Sequence, residues 1–119
     1  MRDPAHTILL IEHDEATRAL YARELGREYQ VFACPDEREA LALLHAHAIC
    51  AVILEPGPAQ GGWALLTTIK QTGAIPVILC STIDERKRGL ELGASAYLVK
   101  PVLPAALLEA VRRLVNQPG

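Results

Sequence analysis

Short, continuous apolar runs alternate along the chain with longer stretches in which apolar residues recur every three or four positions. A continuous run is typical of a strand buried on both faces of a parallel sheet, and the wider spacing is typical of a helix. The runs predict five strands, at 7–11, 30–34, 50–54, 75–80 and 96–99. The wider spacing predicts five helices, at about 15–28, from 36, from about 63, at about 84–92 and from about 103.

Several residues mark the predicted helix ends. Asp36 and Glu39 have the spacing of a capping box at the start of the second helix. Gly93 suits the end of the fourth helix, and Pro104 suits the first turn of the fifth. The second helix is expected to bury Ala40, Leu41, Leu44 and Ala48. The fifth is expected to bury Leu103, Leu107, Ala110, Val111, Leu114 and Val115.

Five strand–helix units follow one another without a repeat or an internal linker. This order predicts one α/β domain over 1–119, built on a doubly wound parallel sheet with helices on both faces. The residues at about 115–119 are predicted to start a linker.

Charge, apolar segment lengths and cysteine content indicate which partners the protein binds and in which compartment it works. A net charge of −2 on 119 residues gives no reason to expect binding to nucleic acid or an anionic membrane. No apolar segment approaches the length of a membrane span or a signal peptide. Cys34, Cys50 and Cys80 match no metal-binding spacing and are predicted to be reduced thiols of a cytoplasmic protein.

Polar residues follow four of the five predicted strands. In doubly wound sheets the functional groups lie beyond the carboxyl ends of the strands. We therefore expect one cluster of acids, hydroxyls and a lysine at that edge of the sheet. Its predicted members are Glu12, His13, Asp14, Glu55, Ser81, Thr82 and Lys100.

Four segments carry a resemblance to a known family. They are ILLIEHD at 8–14, VILE at 52–55, IPVILCST at 75–82 and LGASAYLVKP at 92–101. At these separations the set resembles the receiver domains of two-component response regulators, over nearly the whole chain. The resemblance implies a flavodoxin-like fold with strand order 2-1-3-4-5.

The resemblance also implies roles for single residues. In the family, acids after the first strand bind magnesium, and an aspartate at the end of the third strand accepts a phosphoryl group. A hydroxyl and a lysine, usually followed by a cis proline, contact the phosphate. The matching residues here are Glu12 for the first acid, Ser81 with Thr82 for the hydroxyl, Tyr97 for the switch aromatic, and Lys100-Pro101 for the lysine–proline pair.

Two decisive positions depart from the family pattern. Glu55 stands where the acceptor aspartate is expected, and its extra methylene displaces the carboxylate, which can cost on the order of a hundredfold in rate. His13 replaces an acid and removes an oxygen that magnesium would prefer. We expect weak or no magnesium binding and no cofactor. The weaker alternative is a metal held by Glu12, His13, Glu55 and a carbonyl near Gly57.

The loops around the site depart as well. Pro56 has no N–H to offer a phosphate oxygen, and the loop after it is one residue short of the family pattern. The segment between Ser81 and Gly93 looks about three residues shorter than is usual in the family. These changes add to the prediction of lost chemistry.

The departures predict specific contacts in place of the metal and the phosphate. Two carboxylates about 4 Å apart repel by roughly 4 kcal/mol at an effective dielectric of 20. A positive charge on His13 would relieve that repulsion among Glu12, Asp14 and Glu55. Lys100 is expected to contact Glu55 directly, with the Lys100–Pro101 bond cis.

A basic run on the fourth helix suggests a partner surface. The predicted surface comprises Arg86, Lys87, Arg88, Tyr97, Arg112 and Arg113. The resemblance implies that the fourth helix, fifth strand and fifth helix contact a kinase, an output domain or a second receiver, and a homodimer is one alternative.

The leading interpretation is a non-enzymatic pseudo-receiver that acts through protein–protein interaction. One alternative is an active receiver phosphorylated on Glu55 or Asp14. Another is a flavodoxin-like cofactor-binding protein, which is disfavoured because the acidic loop at 12–15 would repel a phosphate group.

Overall fold

A computed structural model of the chain describes residues 6–56 and 61–115. Strands and helices alternate in the order β1 (Thr7–Ile11), α1 (Glu15–Leu25), β2 (Gln30–Cys34), α2 (Glu37–Ala46), β3 (Ala51–Leu54), α3 (Gly61–Thr72), β4 (Val77–Ser81), α4 (Arg86–Glu91), β5 (Ala96–Val99) and α5 (Pro104–Val115). The strands form one parallel sheet in the order β2-β1-β3-β4-β5. The predicted fold class and strand order are confirmed.

The sheet has a hydrophobic core on each face. Every residue of β1, β3 and β4 is buried, and successive side chains point to opposite faces. Leu9 and Leu54 pack with residues of α2 and α3. Ile8 and Ile53 pack with residues of α1 and α5. The continuous apolar runs thus place three central strands inside the protein, with their carboxyl ends at one edge.

Some predicted helix ends are right and others are wrong. Asp36 caps α2 by accepting a hydrogen bond from the Glu39 N–H at 2.9 Å. Gly93 has φ +103°, as expected of the residue after a helix. Helix α1 ends before the predicted Glu28, because Gly26, with its low helical propensity, follows Leu25.

The predicted apolar faces of two helices also need correction. Leu103 is 75% exposed and precedes Pro104, the first residue of α5. Leu41 of α2 is exposed, and Ala48 lies beyond the end of that helix. The predicted linker residues 116–119 lie outside the described residues.

None of the helices in 6–56 and 61–115 has both the length and the apolar character required to cross a membrane.

Candidate functional site

Three charged side chains from three strand ends meet at the carboxyl edge of the sheet. β1 and β3 are paired neighbours, with Ile11 opposite Leu54, so the residues that follow them come side by side. The Lys100 ammonium, after β5, donates to Glu12 Oε1 at 2.7 Å and to Glu55 Oε2 at 3.0 Å. The predicted contact between Lys100 and Glu55 and the cis Lys100–Pro101 bond are both confirmed.

In this cluster Glu12 is buried, Glu55 and Lys100 are partly buried, and one ammonium faces two carboxylates. Burial raises the pKa of Glu12, which is only 2% exposed, and Lys100 offsets the rise in part. Burial acts against ionisation of Glu55 too, but its neighbours Glu12 and Lys100, the latter donating a hydrogen bond, outweigh it and lower the pKa of Glu55. Burial alone would lower the pKa of Lys100. The hydrogen bonds that Lys100 donates to both acids have the larger effect, so the pKa of Lys100 is raised.

His13 lies beside this cluster, between two acids on different elements. Its Nδ1 is 3.6 Å from Glu55 Oε1, and its Nε2 is 3.5 Å from Glu37 Oε1. Glu37 belongs to the first turn of α2, and its Oε1 is buried without a hydrogen bond. The imidazole of His13 therefore faces Glu55 and Glu37 together. Glu37 was not among the predicted site residues, although its position shortly after the end of β2 was a signal for it.

Asp14 does not join the cluster, and the prediction that it does is wrong. Its side chain caps α1, accepting hydrogen bonds from the Thr17 N–H at 2.9 Å and the Thr17 hydroxyl at 2.6 Å. These bonds lower the pKa of Asp14, which is exposed. Only its backbone takes part in the site, where its N–H donates to Glu12 Oε2 at 3.1 Å.

The two predicted hydroxyls are in different environments. Ser81 is buried, and its Oγ accepts a hydrogen bond from the Ile83 N–H at 3.2 Å. Thr82 is exposed and lines, together with Lys100 and Tyr21, an open groove of about 420 Å³. Ser81 is therefore the hydroxyl held in place at the strand end.

The donor atoms do not fit magnesium, which prefers near-octahedral coordination by oxygen. The Lys100 ammonium already lies between the carboxylates of Glu12 and Glu55. His13, at the position where the family pattern has an acid, offers an imidazole nitrogen instead of an oxygen. Within the described residues, no group of three or more His, Cys, Asp or Glu side chains could hold a metal ion. Gly57, whose neighbourhood was predicted to supply a carbonyl, lies outside those residues.

Tyr97 lies beneath the loop that joins β4 to α4. It is buried, its hydroxyl donates to the Ile83 carbonyl, and it accepts from the Glu85 N–H at 3.1 Å. Nearby, the Arg88 guanidinium stacks over the Trp63 ring, 4.1 Å from the ring centre. Arg86 and Lys87 are exposed. Tyr97 therefore lies beneath the predicted surface and is not exposed on it, whereas Arg86, Lys87 and Arg88 of α4 are exposed.

The α5 arginines do not extend this basic run. Arg112 donates from Nε to Glu28 Oε2 at 2.9 Å, in the segment after α1. Arg113 lies 3.6 Å from Glu109 of its own helix. The predicted grouping of Arg112 with the α4 arginines is wrong, because Arg112 is directed to the side of α5 that faces α1.

Comparison with known proteins gives consistent matches. The family model for the response regulator receiver domain matches residues 8–112. The transcriptional regulatory protein HprR of Escherichia coli (strain K12) is 35% identical over 115 residues, covering 92% of this chain and 52% of that protein. The chain thus spans about half the length of this curated relative.

Solved structures match in fold. The receiver domain of the Francisella response regulator 1452 is 24% identical with a TM-score of 0.86, covering 97% of this chain and 98% of that one. The BeF3-activated receiver domain of DrrB, from Thermotoga maritima, is 24% identical with a TM-score of 0.86, covering 98% and 100%. At this level of identity the likeness describes the fold.

Proposed function

The chain belongs to the response regulator receiver domain family, and from that membership we propose that it is a pseudo-receiver in which an internal ion pair replaces phosphoryl transfer. The observation that carries the proposal is the Lys100 ammonium placed between Glu12 and Glu55, at 2.7 and 3.0 Å. In this arrangement the lysine already has two anionic partners. A phosphoryl group would have to displace one of them.

The would-be acceptor is engaged at both of its oxygens. Glu55 Oε2 accepts from Lys100, and Oε1 faces His13. A nucleophile needs a free oxygen in line with the phosphorus, and a displacement of a bond length can cost on the order of a hundredfold in rate. Glu55 is therefore a poor phosphoryl acceptor on grounds of both length and contacts.

The site is also poorly suited to hold the magnesium ion whose positive charge assists phosphoryl transfer. Catalysis of phosphoryl transfer is mostly positioning and electrostatic stabilisation, in which the metal has a central part. The imidazole of His13 occupies the place of an oxygen ligand, and Asp14 caps α1. We expect weak or no magnesium binding and no cofactor.

Glu55 supplies a permanent negative charge next to Lys100. A carboxylate carries one negative charge where a phosphoryl group carries nearly two, so the substitution is a partial mimic. The site then stays in one electrostatic state. The function left to such a domain is non-enzymatic recognition of another protein.

The proposed partner surface is reduced to the region around α4. Arg86 and Lys87 are exposed there, whereas Arg112 is paired with Glu28 on the other side of α5. Receiver domains of response regulators interact with kinases and output domains. For this chain we propose an output domain or a second receiver as the partner.

The proposal is tested with beryllofluoride, the phosphoryl analogue present in the activated DrrB receiver. Adding beryllofluoride and magnesium to the wild-type protein is expected to leave its amide NMR spectrum unchanged, because Glu55 and Lys100 are already paired. The matched control is Glu55→Gln, which removes the carboxylate. A saturable spectral change in the wild type that disappears in Glu55→Gln would refute the proposal.

A further inference from the structure

We propose that Glu37 is a positioning residue that holds the imidazole of His13 against Glu55 and thereby keeps Glu55 Oε1 covered. This role rests on the proposed function, in which Glu55 does not accept a phosphoryl group, and it assigns the residue that maintains that state. The two ring nitrogens of His13 face two different acids. Nδ1 is 3.6 Å from Glu55 Oε1, and Nε2 is 3.5 Å from Glu37 Oε1.

The pairing of β1 with β2 brings Glu37 beside His13. Ile11 lies opposite Cys34, and the Glu12 N–H donates to the Cys34 carbonyl at 3.1 Å. The residues that follow β1 and β2 therefore leave the same edge of the sheet side by side, and Glu37 is the first residue of α2. The contact between His13 and Glu37 thus follows from the register of the sheet.

The backbone is held on both sides of this contact, whereas the imidazole is not held by packing. Asp36 accepts a hydrogen bond from the Glu39 N–H at 2.9 Å, which fixes the first turn of α2. The Asp14 N–H donates to Glu12 Oε2 at 3.1 Å, which fixes the segment that contains His13. The His13 side chain is 40% exposed, so its surroundings alone do not select one rotamer. Its contacts with the two acids set its direction.

The carboxyl group of Glu37 lies between His13 and the start of α3. Its Oε1 is buried and has no hydrogen bond within the described residues, and His13 Nε2 faces it at 3.5 Å. A Cβ added at Gly61 would lie 3.1 Å from Glu37 Cδ, so the glycine leaves room for the carboxyl group against the first turn of α3. The positive end of that helix also favours a carboxylate there.

An acid at each ring nitrogen restrains the ring more than one acid alone would. Half a turn of the ring about its bond to Cβ exchanges each nitrogen with a carbon, and so removes the nitrogens from both Glu55 and Glu37. Without Glu37, the same turn separates only one nitrogen from an acid, and a change of χ1 moves the ring into water. Glu37 therefore keeps the ring of His13 over Glu55 Oε1.

The experiment measures, by NMR on the full chain, the nuclear Overhauser effect between the ring protons of His13 and the γ protons of Glu55. Glu37→Leu removes the carboxyl group and keeps a side chain of similar size. A released ring distributes over roughly three staggered χ1 positions, so we expect the effect to fall about threefold. The matched control is Glu39→Leu, which removes the other, exposed acid from the first turn of α2 and should leave the effect unchanged.

A second variant decides where leucine disturbs the start of α2. The Glu39 amide signal reports on the Asp36 cap, and a shift of that signal in Glu37→Leu marks such a disturbance. Glu37→Asp keeps the charge at the helix start but withdraws the carboxylate by about 1.5 Å, and it is expected to weaken the effect as well. An effect as strong in both Glu37 variants as in the wild type, or an equal fall in Glu39→Leu, would overturn the role of Glu37.

Beryllofluoride separates the role of Glu37 from the proposed function. If the wild type binds beryllofluoride with magnesium and the His13–Glu55 effect still falls in the Glu37 variants, the pseudo-receiver proposal fails and the positioning role stands. If the wild type binds none and the effect is the same in the wild type and both Glu37 variants, the positioning role is overturned and the pseudo-receiver proposal stands.

Discussion

Lys100→Met is expected to lower the free energy of unfolding at neutral pH by about 3 kcal/mol, because it leaves the buried carboxylate of Glu12 and the partly buried one of Glu55 without their cation. For a domain of this size the loss corresponds to a fall in Tm of roughly 10 °C. Both acids are in direct contact with Lys100. Glu12 is 2% exposed and the Glu55 side chain is 15% exposed, so water has little access to either carboxylate. Thermal melts monitored by circular dichroism measure the effect.

The pH dependence of that variant identifies its cause. Without the ammonium, the folded-state pKa of Glu12, already raised by burial, rises further above the unfolded value. A group with a raised folded pKa contributes stability below its unfolded pKa and loses it as pH rises through the folded pKa. The deficit of Lys100→Met relative to wild type should therefore shrink as pH falls towards about 4.5.

Two controls accompany the lysine variant. Lys87→Met removes an exposed lysine from α4 and should change Tm little. Adding Glu12→Gln to Lys100→Met removes one of the stranded charges and should recover part of the loss. A Lys100→Met protein as stable as wild type at neutral pH would contradict the internal ion pair.

The double variant His13→Asp with Glu55→Asp is expected to gain stabilisation by magnesium that the wild type lacks. It restores an oxygen ligand and draws the second carboxylate back from Lys100, which frees oxygens for the metal. Magnesium at ten times its dissociation constant would add about 1.4 kcal/mol, or roughly 5 °C in Tm. Without metal the variant should be less stable than wild type, because one additional carboxylate then lies beside the acids that His13 contacts, residue 55 and Glu37.

The matched control replaces His13 without adding a carboxylate. His13→Asn with Glu55→Asp has the same shortened acid but no new oxygen anion, so magnesium should leave its Tm nearly unchanged. If magnesium raised the wild-type Tm as much as that of the His13→Asp double variant, His13 would not be the group that prevents metal binding.

The fold could be predicted from the sequence because its strands are buried on both faces. The runs at 7–11 and 75–80 contain almost no polar residue, and each is followed directly by polar side chains; the strands formed are Thr7–Ile11 and Val77–Ser81. Parallel pairing then brings the strand ends together, which is why the contact between Lys100 and Glu55 could be predicted before any coordinates were known.

The side chains placed wrongly are those for which two local uses compete. Asp14 could face the site or cap α1, and its spacing to Thr17 was the overlooked sign of a cap. Arg112 follows Val111, which is buried, and its side chain reaches Glu28 across the packing of α1 on α5. Periodicity marks the buried face of a helix, and it does not say which neighbour its edges will meet.

The most direct test of the account is phosphoryl incorporation from a small phosphodonor. The wild-type protein is incubated with acetyl phosphate and magnesium, and its intact mass is recorded, with the His13→Asp and Glu55→Asp double variant treated in parallel. No phosphoryl adduct is expected on the wild type, because Lys100 and His13 engage both oxygens of Glu55. An adduct on the wild type that is absent from Glu55→Gln would contradict it.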